Sequence, residues 1–208
     1  MRPGEIRFRG YAIEDLIGRV SYPQMVWLIT RGELPAPGQA RLLDAALVAG
    51  VDHGPQAPSI AISRMAITGG TGINGAMVSA INVLDDIPGG AGEQCVELFH
   101  EIAAETAPLP KAVAGVLERR RAAGRKYVPG FGHRFHPVDP RAPRLLERVD
   151  GAVAKGIVEG RFAAIARAVD AHLRATTSRP VPMNIDGAPA APSACRSSST
   201  RTAAKETP

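Results

Sequence analysis

Cross-linking chemistry is nearly absent from this chain: its 208 residues include two cysteines, Cys95 and Cys195, a hundred positions apart. No CxxC pair or Cys/His ligand spacing accompanies them, which argues against a disulfide framework or a zinc site and makes a reduced, cytosolic setting the default. Long apolar runs are missing as well. No stretch of 18 apolar residues occurs, and the N-terminal MRPGEIRFRGYAIEDLIG has no apolar segment of signal-peptide type, so a soluble protein is expected. Strong charge of one sign is also lacking. The net charge is +5, and +2 of it comes from the last 22 residues, where Arg196, Arg201 and Lys205 outweigh Glu206. That balance is weak evidence for nucleic acid, although it suits an anionic small molecule. The best basic run, LERRRAAGRK, is interrupted by Glu118 and has no aromatic stacking set, so a nucleic-acid-binding helical protein is the weakest reading.

What the chain does have is helical periodicity, and enough apolar residues (45%) for one sizeable core or two small domains. In YPQMVWLITRG, Met25, Val26, Leu28 and Ile29 follow Ser21 and Pro23, a start signal, and Gly32 supplies a stop. Phe162, Ile165, Ala166, Val169 and Leu173 recur at helical spacing. Leu145, Leu146, Val149, Val153 and Ile157 form a second stripe, Cys95, Leu98, Phe99 and Ile102 a third, and Val113, Val116 and Leu117 a fourth. The stretches 57–68 and 73–84 are apolar nearly all round, as in helices buried inside a large helical protein. Strand-like alternation is hard to find, so the predicted class is all-α. From Gly187 onward the composition turns to Ala, Ser, Thr and Pro, with no Leu, Ile, Val, Phe or Met. Such a segment buries too little apolar area to offset its ordering entropy, and residues 187–208 are expected to form a disordered tail.

Four loops gather the chemistry. LDDIPGGAGEQC sets three glycines around Pro88, a turn shaped for close backbone approach but with no reactive group at its centre. VDHGPQAPS holds His53 between two helices. KYVPGFGHRFHPVDPRAPRL holds His133 behind a Pro-Gly-Phe-Gly turn, then His136, Asp139 and Arg141. PVPMNIDGA presents Asp186. Singly, each has a plain reading: a loop histidine is more often a surface or capping residue, an Asp before Gly is usually a turn former, and Arg141 can simply pair with Asp139. Together they suit an anionic carbonyl compound. Arginine grips a carboxylate bidentately, a histidine N–H polarises a carbonyl, and a carboxylate removes a proton alpha to it.

At these residues the sequence resembles the citrate synthase family, and more closely its citryl-CoA lyase-like members. RFRGYAIEDLI, VDHGPQAPS, GGAGEQC, VPGFGHRFHPVDPRAPRL and PMNIDGA fall in the family's order between Gly4 and Gly187, and the PGFGH to DPRA element is the most specific. The resemblance implies an all-α, two-domain homodimer acting on acetyl-CoA and oxaloacetate, or on citryl-CoA, in the cytoplasm, with no metal or prosthetic group. It implies a large-domain part over 1–88 and a small, CoA-contacting domain over 89–186. It implies oxaloacetate binding by His53 and Arg141, a carbonyl donor at His133 and a base at Asp186. The backbone of Val128, Pro129, Gly130, Phe131 and Gly132 would lie along CoA, with Lys126 near its phosphates.

Two departures from the family's pattern qualify this. Pro88 stands where relatives carry a histidine that stabilises the enol of acetyl-CoA, and losing one such donor costs roughly 100- to 1,000-fold in rate. Beyond Asp186 the family continues with large-domain helices bringing further carboxylate-binding arginines, where this chain has the tail. An impaired enzyme is therefore one expectation, and a catalytically silent CoA-ester or dicarboxylate binder, or a partner subunit, is the alternative. The apolar faces of 57–84 are expected to lie exposed or under another chain.

Overall fold

The computed structural model describes residues 3–84, 90–133 and 136–193. The chain opens with a two-stranded antiparallel ribbon, β1 (Arg7–Phe8) and β2 (Tyr11–Ala12), a departure from the helical pattern that sequence periodicity misses because each strand is two residues long. Arg9 and Gly10 both take positive φ (51° and 93°), which is what so tight a hairpin requires. Ten helices follow among the described residues: α1 (Ile13–Leu16), α2 (Tyr22–Arg31), α3 (Pro37–Ala49), α4 (Pro58–Thr68), α5 (Ile73–Ile81), α6 (Ala91–Ala104), α7 (Leu109–Ala122), α8 (Arg141–Val153), α9 (Arg161–Thr176) and α10 (Gly187–Ser193).

Local sequence sets the ends of these helices. At α2 the Ser21 N–H donates to Gln24 Oε1 at 2.9 Å, Pro23 occupies the first turn, and Gly32 ends the helix in the left-handed conformation. The same device starts α3, where the Ala36 N–H donates to Gln39 Oε1 at 2.9 Å ahead of Pro37.

The core lies almost wholly between Cys95 and Ala190. All four residues of the α6 stripe are buried, as are Phe162, Ile165, Ala166, Val169 and Leu173 on α9. Burying each large apolar side chain is worth about 1.5–3 kcal/mol. The stripe on α8 is shorter than its spacing implies. The helix stops at Val153, Gly156 turns the chain with a positive φ, and Ile157 packs instead against Gly38 of α3.

Two expectations are corrected. Residues 187–193 are not tail: they form α10, which packs on α6, α8 and α9 with Ala188 fully buried. Small side chains suffice there because the backbone comes so close, and composition alone undervalues such packing. Residues 194–208 lie outside the described residues. The second correction is to the likeness of 57–68 and 73–84 to buried helices: they fold as α4 and α5, but their apolar faces lie exposed, as the departure from the family's pattern beyond Asp186 led one to expect. Among the described residues α4 buries none of its residues and α5 only Ala76, and the two pack chiefly on one another. Among the described residues no helix is long and apolar enough to cross a membrane.

Candidate active site

The segment 128–133 and the segment 182–187 are fastened together. Phe131 and Met183 form an antiparallel bridge, the Gly132 N–H donates to the Pro182 carbonyl at 2.6 Å, and the Asn184 N–H donates to the Gly130 carbonyl at 3.0 Å. The Asn184 side chain ties both strands at once. Its Nδ2 donates to the Gly132 carbonyl at 2.9 Å, while its Oδ1 accepts from the N–H groups of Asp186 (2.9 Å) and Gly187 (3.3 Å). Glycines make the approach possible. Gly130 has φ +80°, and a Cβ there would meet Cys95 Sγ at 2.5 Å and Gly187 Cα at 2.7 Å. His133 leaves one side of this clasp and Asp186 the other, so the two groups sit on one rigid unit.

Asp186 is largely withdrawn from water, and burial pushes its carboxyl above the usual aspartate range although the charges of His53 and Arg141 pull it down. Burial also lowers the basicity of His133, helped by His136, Arg141 and His53, so the ring is neutral near pH 7. Its Nδ1 accepts the His136 N–H at 3.0 Å. In the neutral tautomer this leaves the proton on Nε2, the form that donates to a carbonyl.

Arg141 opens α8 and is engaged by Asp139, which is fully buried. Nε donates to Oδ1 and Nη2 to Oδ2, both at 2.9 Å, the Arg141 N–H adds 3.0 Å to Oδ1, and Nη1 reaches the Ala49 carbonyl at 3.4 Å. Burial opposes ionisation of Asp139, yet these bonds hold its carboxyl below the ordinary range, and the same bonds raise Arg141. The plain pairing of Arg141 with Asp139 is therefore real. It uses two of the five side-chain donors, the Ala49 carbonyl takes a third, and the guanidinium is fixed with two left over. His53 follows α3 on an exposed loop, bent where the Gly54 N–H donates to Asp52 Oδ1 at 3.1 Å.

The residues expected to meet CoA divide. Lys126 and Pro129 line a cavity of about 640 Å³ with Gly90, Gln94, Arg120 and Tyr127. Gly130, Phe131 and Gly132 are engaged with 182–187, and Phe131 is buried in the core. Beneath the cavity Arg120 makes two 2.7 Å bonds to the Glu101 carboxylate, which keep that acid ionised. Pro88 lies outside the described residues.

Sequence reasoning missed Asn184 as a tie and Asp139 as the buried anchor of Arg141. The first has a signal, an Asn two residues before Asp-Gly, which is an Asx-turn pattern. The second shows only through burial.

The fold is that of a class of all-helical enzymes represented by citryl-CoA lyase and citrate synthase. The structure of citryl-CoA lyase from Hydrogenobacter thermophilus is 30% identical, superposes with a TM-score of 0.77, and aligns over 91% of this chain and 71% of its own length. Citrate synthase from Pyrobaculum aerophilum (24% identity, TM-score 0.67) aligns over 89% of this chain and 44% of its own. A mutant ATP citrate lyase of Methanosaeta concilii in complex with (3S)-citryl-CoA shares the fold at 19% identity and a TM-score of 0.73, with 86% and 28% covered. A search of curated proteins finds no match. The chain belongs to the citrate synthase family, whose model of the citrate synthase C-terminal domain matches residues 35–191.

Proposed function

We propose that this chain handles a CoA ester and a dicarboxylic oxo acid in the carbon–carbon step that joins acetyl-CoA to oxaloacetate or cleaves citryl-CoA. Asp186 takes the methyl proton, His133 donates Nε2–H to the oxaloacetate carbonyl, and His53 and Arg141 hold carboxylates. Coenzyme A lies along Val128–Gly132 with its phosphates toward Lys126. The observation that carries this reading is the clasp through Asn184, which sets a basic carboxylate and a neutral histidine on one unit within electrostatic reach of Arg141 and His53.

Pro88 makes the enzyme impaired, because it offers the developing enolate no donor. The second reading, a silent binder of CoA esters or dicarboxylates, rests on the same proline. Residues 1–88 and 89–186 act as the two domains, and two copies pair as a cytoplasmic homodimer through α4 and α5, whose Met65, Ile73, Met77, Val78 and Ile81 are all exposed. These two consecutive helices pack on one another, and their exposed face is one that a second copy complements about a two-fold axis.

The test is exchange of the acetyl-CoA methyl protons with deuterium, followed beside acetyl-CoA-dependent thiol release with oxaloacetate. In Pro88→His exchange rises roughly 100-fold or more while condensation improves less. Wild-type condensation that Pro88→His does not raise would overturn the assignment. CoA binding without exchange in either protein selects the silent reading.

A further inference from the structure

The 182–187 segment has two hydrogen-bonding edges, and its clasp to 128–133 accounts for one of them. The Pro182 carbonyl and the Asn184 N–H both face the 130–132 backbone. In extended chain the N–H between them points the opposite way, so that of Met183 has to find its acceptor on the far side. Met183 is buried, and the acceptor must come from the protein.

It comes from α9. Asp170 Oδ1 accepts the Met183 N–H at 3.2 Å, and its Oδ2 accepts from Arg174 Nε at 2.7 Å. Asp170 stands four residues after Ala166 and three before Leu173, at the margin of the apolar stripe that α9 buries. Only 20% of its side chain is exposed, and a carboxylate so placed is tolerated because both oxygens are engaged. Arg174 is mostly in solvent, so this ion pair stabilises the fold little. What the pair does is turn the carboxylate so that Oδ1 faces the strand. Arg167, one turn earlier on α9, is taken up instead by Asp150 of α8.

We propose that Asp170 is a positioning residue for Asp186: by taking the Met183 N–H it fixes the second edge of the strand, and with it the depth at which the Asp186 carboxyl sits. The segment is then held from both sides, by the 130–132 backbone on one edge and by α9 on the other, and Asp186 follows three residues on. Asp170 acts through the strand and takes no part in the chemistry. That Asp186 is the base rests on the function proposed above; the placement of its carboxyl does not. The charges that bear on Asp186 are those of His53, Arg141 and Asp139, with the neutral Cys95 thiol nearby, so loss of Asp170 reaches it through position rather than charge.

Two NMR measurements on the full chain test this: hydrogen exchange of the Met183 amide and titration of the Asp186 carboxyl. Asp170→Asn keeps an acceptor for the N–H and gives up the charge. Asp170→Glu keeps the charge and moves the acceptor by one methylene, and Asp170→Ala has neither. In Asp170→Ala the Met183 amide is expected to exchange roughly tenfold or more faster, and the Asp186 titration to come down toward the ordinary aspartate range as water reaches the carboxyl. Asp170→Asn and Arg174→Ala should stay near wild type in both measurements, while Asp170→Glu should move with Asp170→Ala. Should Asp170→Ala not fold, the contrast between Asp170→Asn and Asp170→Glu decides. In a Pro88→His background Asp170→Ala should lower the maximal rate of methyl-proton exchange roughly tenfold or more, with KM for acetyl-CoA unchanged. An Asp170→Ala protein that loses stability yet titrates Asp186 as wild type does would overturn the proposal, because the role would then be structural only. So would Asp170→Glu matching wild type while Asp170→Asn does not. Methyl-proton exchange absent from every variant would instead remove Asp186 as the base, and the two NMR measurements would still decide whether Asp170 positions it.

Discussion

The burial of Asp186 carries a cost in stability. Its carboxyl titrates above the unfolded value, so the folded state binds the proton more tightly and ionisation costs folding free energy at neutral pH. Asp186→Asn should therefore raise stability at pH 7 while abolishing methyl-proton exchange. The sign fixes the pH dependence: the gain is full above the raised folded pKa, shrinks as pH falls through it, and vanishes below the ordinary aspartate range near about 4. Urea denaturation of both proteins across this range measures it, and a gain that grows on acidification would contradict the assignment. Asp139 has the opposite sign. Its lowered carboxyl stabilises the fold above the unfolded pKa and loses that contribution only as pH falls through the folded one.

Among the elements, the clasp between 128–133 and 182–187 carries the site. Gly130→Ala places a methyl against Cys95 Sγ and Gly187 Cα at a backbone conformation that resists a side chain, and neither neighbour has room to yield. Overpacking of this kind costs roughly 1–3 kcal/mol, so the urea midpoint should drop, and His133 and Asp186 should lose register together. Asn184→Ala leaves the backbone bonds of the bridge in place but removes three side-chain hydrogen bonds, each worth about 0.5–1.5 kcal/mol. Asn184→Asp retains the acceptor for the Asp186 and Gly187 N–H groups and should recover part of the stability. Its added charge should push the Asp186 titration higher still, which carboxyl-resolved NMR reads directly. The thiol of Cys95, pushed up to about 12 by burial and by the nearby Asp186 charge, remains inert packing at this junction.

For the whole molecule, the division between a buried α6–α10 core and an α4–α5 hairpin open on its apolar face sets the solution behaviour. Met77 and Ile81 are 58% and 63% exposed, and exposed apolar side chains of this kind mark an interaction surface where they are contiguous. Sedimentation velocity should find a dimer. Ile73→Asp with Met77→Asp, both exposed in the monomer, should shift it to monomer with little change in the unfolding midpoint of the core. A wild-type monomer, or a double variant that still dimerises, would remove α4 and α5 as the interface.

The sequence by itself determined the helical class, the stripes that α6 and α9 bury, and the loops that carry His53, His133, Arg141 and Asp186. Helical spacing and Gly/Pro punctuation are local properties, readable without knowing what packs where. Only the tertiary structure decided that Gly187–Ser193 joins the core, because the close approach of Gly130 and Gly187 depends on residues far apart in the chain. It also decided that Arg141 is committed to a buried Asp139, and that Asn184 binds the two loops into one unit. Burial and hydrogen bonding across 52 residues of separation, as between Asn184 and Gly132, leave no periodic trace, since their free energy comes from excluding water around a contact that exists only once the chain has folded.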